Sequence, residues 1–212
     1  MKRPFFVIFG VLVIGAMVYL AYEYRADLGL AGPRSNREST NEGQTNPDLR
    51  SAHIAWQTVD RTQDGFKVEM PAAASESQVP AYSEQGVAEQ VEMIEASVDP
   101  DTTYAVAWAG NPPVERVASE ETEKTLDMAR DGALGRTQTT LLSESKGNHN
   151  GYPSRDFSAR NAGGGMMNAR LILAGTRLYM LIATYPDASA RRDEDVKRFF
   201  DSFTLTEAPR SN

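Results

Sequence analysis

Hydrophobic and polar positions divide the chain into three regimes. Phe5–Tyr22, FFVIFGVLVIGAMVYLAY, runs for 18 residues without a charge. At a helical rise of about 1.5 Å per residue, it reaches roughly 27 Å, close to the thickness of a bilayer's hydrocarbon core. Ala31–Arg50 is almost wholly polar and includes two prolines and two glycines. Such a stretch cannot bury enough surface to offset its chain entropy. It reads as a flexible tether with a root-mean-square reach of about 25 Å. From Ser51 onward, apolar residues recur with the periods of strands and helices.

Short strands come first. His53–Val59 carries Ile54, Trp56 and Val59. After the turn dipeptide Asp64-Gly65, residues Phe66, Val68 and Met70 alternate until Pro71 stops the run. A weaker strand is expected near Ser75–Val79. Val87–Val98 alternates for longer, with Ile94, Ala96 and Val98 on one face and Val91 and Met93 on the other. Glu89, Glu92 and Glu95 imply a wet surface beside it. Tyr104–Ala109 follows and ends at Gly110-Asn111-Pro112-Pro113.

A helix is predicted from an N-cap at Ser119 to about Leu134. Glu120, Glu121 and Glu123 suit the positive end of its dipole, Glu120 and Lys124 make an i,i+4 pair, and Leu126, Ala129 and Ala133 form its buried stripe. Thr137–Glu144, Tyr152–Ala159, Met166–Leu173 and Arg177–Tyr185 read as strands. Turns at Gly147–Gly151, Asn161–Gly165 and Gly175-Thr176 join them. The last strand has Tyr179, Leu181 and Ala183 on one face, with Met180, Ile182 and Tyr185 on the other. A strand apolar on both faces is covered on both, which predicts a layered helix–sheet–helix domain. A closing helix over about Ala190–Asp201 turns Val196, Phe199, Phe200 and Phe203 inward, and Phe203–Thr206 could add a short edge strand.

These boundaries give residues 1–30 as a signal-anchor or transmembrane helix with its flank, 31–50 as a flexible linker, 51–207 as the α+β domain and 208–212 as a disordered tail. The apolar stretch exceeds the 7–15 residues of a cleaved signal peptide. Tyr19 and Tyr22 also stand where cleavage needs small residues, and Tyr22 and Tyr24 suit an interfacial belt. An uncleaved single-pass anchor is therefore expected. Lys2 and Arg3 keep the short N-terminal side in the cytoplasm, so the domain is expected outside the cytoplasmic membrane, periplasmic or extracellular.

Charge narrows the choice of partners. The chain carries a net charge of −7. Ser51–Asp131 has 5 basic against 16 acidic residues, whereas Gly132–Asn212 has 11 against 8. The acidic first half argues against nucleic acid, which needs a basic footprint. The asymmetry reads as a solvated surface, or alternatively as a polarised face for a partner. With no cysteine, disulfides, thiolate nucleophiles and Cys-ligated zinc are excluded.

Four motifs carry a family resemblance. Asp64-Gly65-Phe66-x-Val68-x-Met70-Pro71 looks like the opening hairpin of many bacterial envelope domains of unknown function. Gly151-Tyr152-Pro153-x-Arg155-Asp156-Phe157, Arg177-Leu178-Tyr179-x-Leu181-x-Ala183 and Phe199-Phe200-x-Ser202-Phe203 follow in the order of that group. Those domains are similar in fold to PsbP, the extrinsic protein of the photosynthetic oxygen-evolving complex. The resemblance covers roughly Trp56–Leu205. It implies an α+β fold in which an antiparallel β-sheet is sandwiched between helices. The fold serves unrelated binding and assembly roles, and no catalytic residues transfer with it.

Candidate chemistry is sparse. Asp60-x-Thr62-x-Asp64-Gly65 resembles half of a calcium loop, but its twelfth position is Pro71 where a bidentate Glu is needed, so a hairpin turn is preferred. His53 and His149 form no HExxH; His149, between two asparagines, reads as a solvated turn residue. No nucleophile elbow, phosphate loop or dinucleotide fingerprint is present. No catalytic residue, metal or cofactor is assigned. Trp56, Trp108, Tyr152, Tyr179 and Tyr185 could line a pocket or fill the core. Arg155-Asp156 beside Tyr152 reads by default as a solvent-facing ion pair. Trp108, Tyr152, Arg155 and Tyr179 are thus the candidate ligand-binding set. The expected function is a membrane-tethered, non-enzymatic binding or assembly domain with an envelope protein partner. A small-molecule or lipid carrier is the alternative, and a hydrolase using Asp/Glu and His149 comes third.

Overall fold

A computed structural model describes residues 55–71, 73–82, 88–109, 119–190 and 193–206. The apolar stretch Phe5–Tyr22, the tether 31–50, His53, the turn Gly110–Pro113 and the tail 208–212 lie outside the described residues, as do the side chains of Ser119 and Glu120. Among the described residues no helix is long and apolar enough to cross a membrane.

Strands β1 (Trp56–Arg61) and β2 (Phe66–Pro71) form an antiparallel hairpin, and β10 (Thr204–Leu205) pairs with the other side of β2. The larger sheet comprises β3 (Ser75–Tyr82), β4 (Ala88–Asp99), β5 (Thr102–Ala109), β6 (Thr139–His149), β7 (Tyr152–Asn161), β8 (Met166–Ala174) and β9 (Arg177–Tyr185). Its order is β3-β4-β5-β9-β8-β7-β6, and every neighbouring pair is antiparallel. Helix α1 (Ser119–Thr137) connects β5 to the far edge strand β6, and a meander then returns to β9 beside β5. Helix α2 (Asp193–Ser202) follows β9.

Period-two alternation on the central strands builds two cores. On one face Val91, Met93, Ala107, Phe157, Leu171, Met180 and Ile182 pack against Leu126, Ala129 and Ala133 of α1. On the other, Ile94, Ala96, Val106, Leu181 and Ala183 pack beneath Phe66, Val68 and Met70 of β2 and Val196, Phe199 and Phe200 of α2. The split of β4 and β9 into two apolar faces, and the buried stripe of α1, match the sequence pattern. Tyr185 does not: it lies on the face of Tyr179, and its hydroxyl bonds to Asn168. The second covering layer is also only partly helical, because the β1–β2–β10 sheet shares it with α2.

Two element ends differ from expectation for local reasons. α1 continues through Gly135 and stops at Gln138, whose φ of 50° supplies the left-handed cap. β6 runs on to His149 because the turn is confined to Asn150-Gly151, with φ of 51° and 89°. Two successive positive φ values define the type I′ hairpin for which Asn-Gly is the strongest signal.

Candidate functional site

The candidate residues do not form one site. Trp108 and Tyr179 do meet, but inside the second core. Phe66 packs edge-on between them, with ring centroids 5.0 Å from Trp108 and 5.7 Å from Tyr179. Phe203 closes on Tyr179 at 5.4 Å. The Tyr179 hydroxyl donates to the Asp64 carbonyl at 2.9 Å, as does Arg177 at 2.5 Å. Burial raises the Tyr179 pKa above the phenol value. Gly65 is tied to this knot: its φ is 85°, and a β-carbon there would meet the Tyr179 Oη at 2.8 Å. Tyr152 is half-buried against the same core, and the half-buried Trp56 is stacked by the Arg198 guanidinium at 4.6 Å. These aromatics are spent on packing.

Arg155 lies on the opposite face. Pleating sends Arg155, Phe157 and Ala159 toward α1, and Tyr152, Ser154, Asp156 and Ser158 away from it. Arg155 is fully buried and is no solvent-facing partner of Asp156. Its guanidinium bonds to Asp127, donates to Glu123 at 2.8 Å and lies 3.1 Å from Glu144. Lys146 reaches Glu123 at 2.6 Å and holds that carboxyl below its ordinary pKa. Arg130 joins Asp127 at 3.2 Å and Glu144 at 2.7 Å. This network fixes α1 to the β6 edge.

Asp156 pairs instead with Arg170, which donates Nε at 2.8 Å and Nη2 at 2.7 Å to the two carboxylate oxygens. Arg170 also donates at 3.2 Å to the Phe200 carbonyl, in the last turn of α2, where a cation complements the dipole. His149 acts similarly. Its Nε2 lies 2.8 Å from the Phe203 carbonyl, which makes Nε2 the protonated nitrogen, and burial lowers its pKa. His149 therefore ends a strand and holds the chain after α2; it is not a solvated turn residue.

These anchors frame an open groove of about 380 Å³ between α2 and the outer strands. Its floor is the face of β6, β7 and β8 that α2 leaves uncovered: Ser143, Ser145, Asp156, Ser158, Asn168 and Arg170. Lys197, Phe200 and Asp201 form the helical wall. Within the groove Arg170 pairs with Asp156 and Lys197 with Asp201, and the carboxylates Asp193 and Glu144 line it as well. What it offers a ligand is mostly hydroxyl and amide hydrogen bonding. Sequence reading missed this floor, although the alternation Ser154-Asp156-Ser158 against Arg155-Phe157-Ala159 carries the signal. Only the strand register places those polar positions beside Asn168 and Arg170. Among the described residues no group of three or more His, Asp or Glu is arranged to hold a metal ion.

Fold and site together define an antiparallel α+β sandwich with a polar groove beside one sheet edge. No protein-family model and no curated protein matches the chain. Solved structures do. One is the solution structure of cyanobacterial PsbP (CyanoP) from Synechocystis sp. PCC 6803, at TM-score 0.45 and 14% identity, covering 80% of this chain and 98% of that one. Another is PA94, a protein of unknown function from Pseudomonas aeruginosa, at TM-score 0.36 and 13% identity, covering 74% and 99%. At these values the similarity carries no functional argument.

Proposed function

We propose that the chain is a membrane-tethered, non-enzymatic binding or assembly domain outside the cytoplasmic membrane. The observation that carries this reading is the groove, a polar strand surface left open beside α2 whose two cations are already paired with Asp156 and Asp201. Such a surface suits a partner that brings hydrogen-bonding groups. The uncharged stretch Phe5–Tyr22 and the polar linker 31–50 supply the anchor and the reach. The carrier alternative is weaker, because Trp108 and Tyr179, which would line its pocket, are packed against Phe66. The hydrolase reading is weaker still, because His149 is engaged by the Phe203 carbonyl.

The test is affinity purification of the full chain from detergent-solubilised membranes. The wild type should retain a stoichiometric partner, and Lys197→Trp, which fills the groove, should lose at least tenfold of it. Equal recovery by both proteins rules out the groove. Repeated recovery of no partner across growth conditions rules out the assembly reading.

A further inference from the structure

The large sheet ends in two edge strands of unlike character. β3 contains Pro80, which has no backbone N–H to give to a further strand; this is a common guard on sheet edges. β6 has no proline in 11 residues, is exposed from Leu142 to Asn148, and ends the strand order with nothing paired to its outer side among the described residues. Leu142, at 50% exposure, sits at a bulge in this strand. Beyond that bulge, itself an edge guard, the pairing of β6 with β7 is regular from Ser143 to His149, and an open edge of that length is a template for another strand.

The charges of β6 select what that strand is. Its charged residues are Glu144 and Lys146, one on each side of Ser145. Pleating puts both on the α1 face and Ser145 on the groove face. Lay a second copy antiparallel with Ser145 facing itself. Glu144 then stands opposite the partner's Lys146, and Lys146 opposite the partner's Glu144. Sliding by two residues one way brings Glu144 against the partner's Glu144; the other way brings Lys146 against the partner's Lys146. Sliding by one residue sets the two pleats out of phase. Opposite charges directly across a strand pair attract and like charges repel, so one register is favoured and its neighbours are opposed. A strand with the same sign at both positions would be repelled in all three of these registers.

We propose that β6 is the seam of a symmetric homodimer, two copies pairing antiparallel about Ser145. This rests on the assembly reading and adds to it a second copy of this chain, bound at the sheet edge and leaving the groove to the other partner. The pairing joins two seven-stranded sheets into one. It also brings the two grooves together across the two-fold axis, since Ser143 and Ser145 line them.

The chain has no cysteine, so an introduced thiol reports alone. Residues directly opposite on antiparallel strands have β-carbons about 4.5–5.5 Å apart, near disulfide range. Ser145→Cys in the full chain, oxidised mildly in membranes, should give a covalent dimer. Ser143→Cys, four residues from its own copy and so about 14 Å away, should give at least tenfold less. Adding Lys146→Glu to the Ser145→Cys protein should cut its yield several-fold, with thermal unfolding confirming that each variant is folded. Equal yields from the two single-cysteine proteins, no dimer from a folded Ser145→Cys protein, or a yield untouched by Lys146→Glu would each overturn the seam. If that same protein still retained a different stoichiometric partner, the assembly reading would stand without it.

Discussion

Arg155 gives the sharpest test of how α1 is held. Its side chain is 0% exposed, while its partners Glu123, Asp127 and Glu144 are 43%, 45% and 23% exposed. Each carboxylate has a second cation: Lys146 for Glu123, and Arg130 for both Asp127 and Glu144. Arg155→Met therefore leaves no charge stranded and puts an apolar chain in an enclosed space. Its cost should be about 1–2 kcal/mol, below the ~3–5 kcal/mol seen when one member of a buried pair is left bare. The double variant Glu123→Ala/Asp127→Ala does the reverse, leaving a buried guanidinium with Glu144 alone, and should cost ~3–5 kcal/mol. Urea unfolding of the full chain, followed by the fluorescence of Trp56 and Trp108, separates the two. With a slope of about 2 kcal/mol per molar, the midpoints should fall by roughly 0.5–1 M and 1.5–2.5 M respectively. If Arg155→Met shifts the midpoint as much as the double variant, the cost does not lie in stranding the buried cation, and this reasoning fails.

Gly65→Ala forces a side chain into φ 85° against the Tyr179 hydroxyl; thermal or urea unfolding should register a loss of about 2–3 kcal/mol, from left-handed strain plus one hydrogen bond. His149 faces Arg170, Asp156 and Asp201, and its pKa is lowered by burial from an ordinary 6.5. Between its two pKa values the unfolded chain binds more protons than the folded one, so stability is fully present above about pH 6.5 and falls as pH drops through the folded value. His149→Gln, which can still donate to the Phe203 carbonyl, should flatten that decline in unfolding measured from pH 7.5 to 5. Lys67 hydrogen-bonds Asp60 and, with Thr62, holds its pKa at about 2 rather than 3.8; Lys67→Met should bring it back toward 3.8 in a carboxyl-carbon NMR titration, and an unmoved value would refute the pairing.

Most of the architecture was legible in the chain because it depends on local pattern. The two-faced strand Arg177–Tyr185 and the stripe Leu126, Ala129 and Ala133 required only period and composition. What stayed hidden depends on register. Nothing local shows that Arg155 and Asp156, adjacent in sequence, serve opposite faces and pair with residues 28 and 14 positions away. The same holds for the groove floor, which takes alternate residues from three strands, and for His149, whose partner lies 54 residues on. The aromatics mislead in a related way. A Trp or Tyr list looks like a pocket until the β1–β2 hairpin is seen to insert Phe66 between Trp108 and Tyr179.

The charge asymmetry between the halves of the domain acquires a third meaning in this light. Read along the chain, it suggests either a solvated surface or a polarised face. In the fold, acidic residues of the first half meet basic residues of the second: Glu123 with Lys146 and Arg155, Asp127 with Arg155, and Glu69 with Arg198 at 2.6 Å. The sheet meander and α2 come from the basic half, and most of α1 and all of β2 from the acidic half; α1 covers one face of the sheet and β2 shares the other with α2. Complementary charge therefore helps dock α1 on the sheet, and β2 beside α2 within the second covering layer. The separation matters most where the layers end, at β6, where the same Glu144 and Lys146 that engage the α1 network also face the open edge. Internal docking and edge recognition draw on one set of side chains. A second strand at that edge would meet a charge pattern already fixed by α1, with little left to order on association.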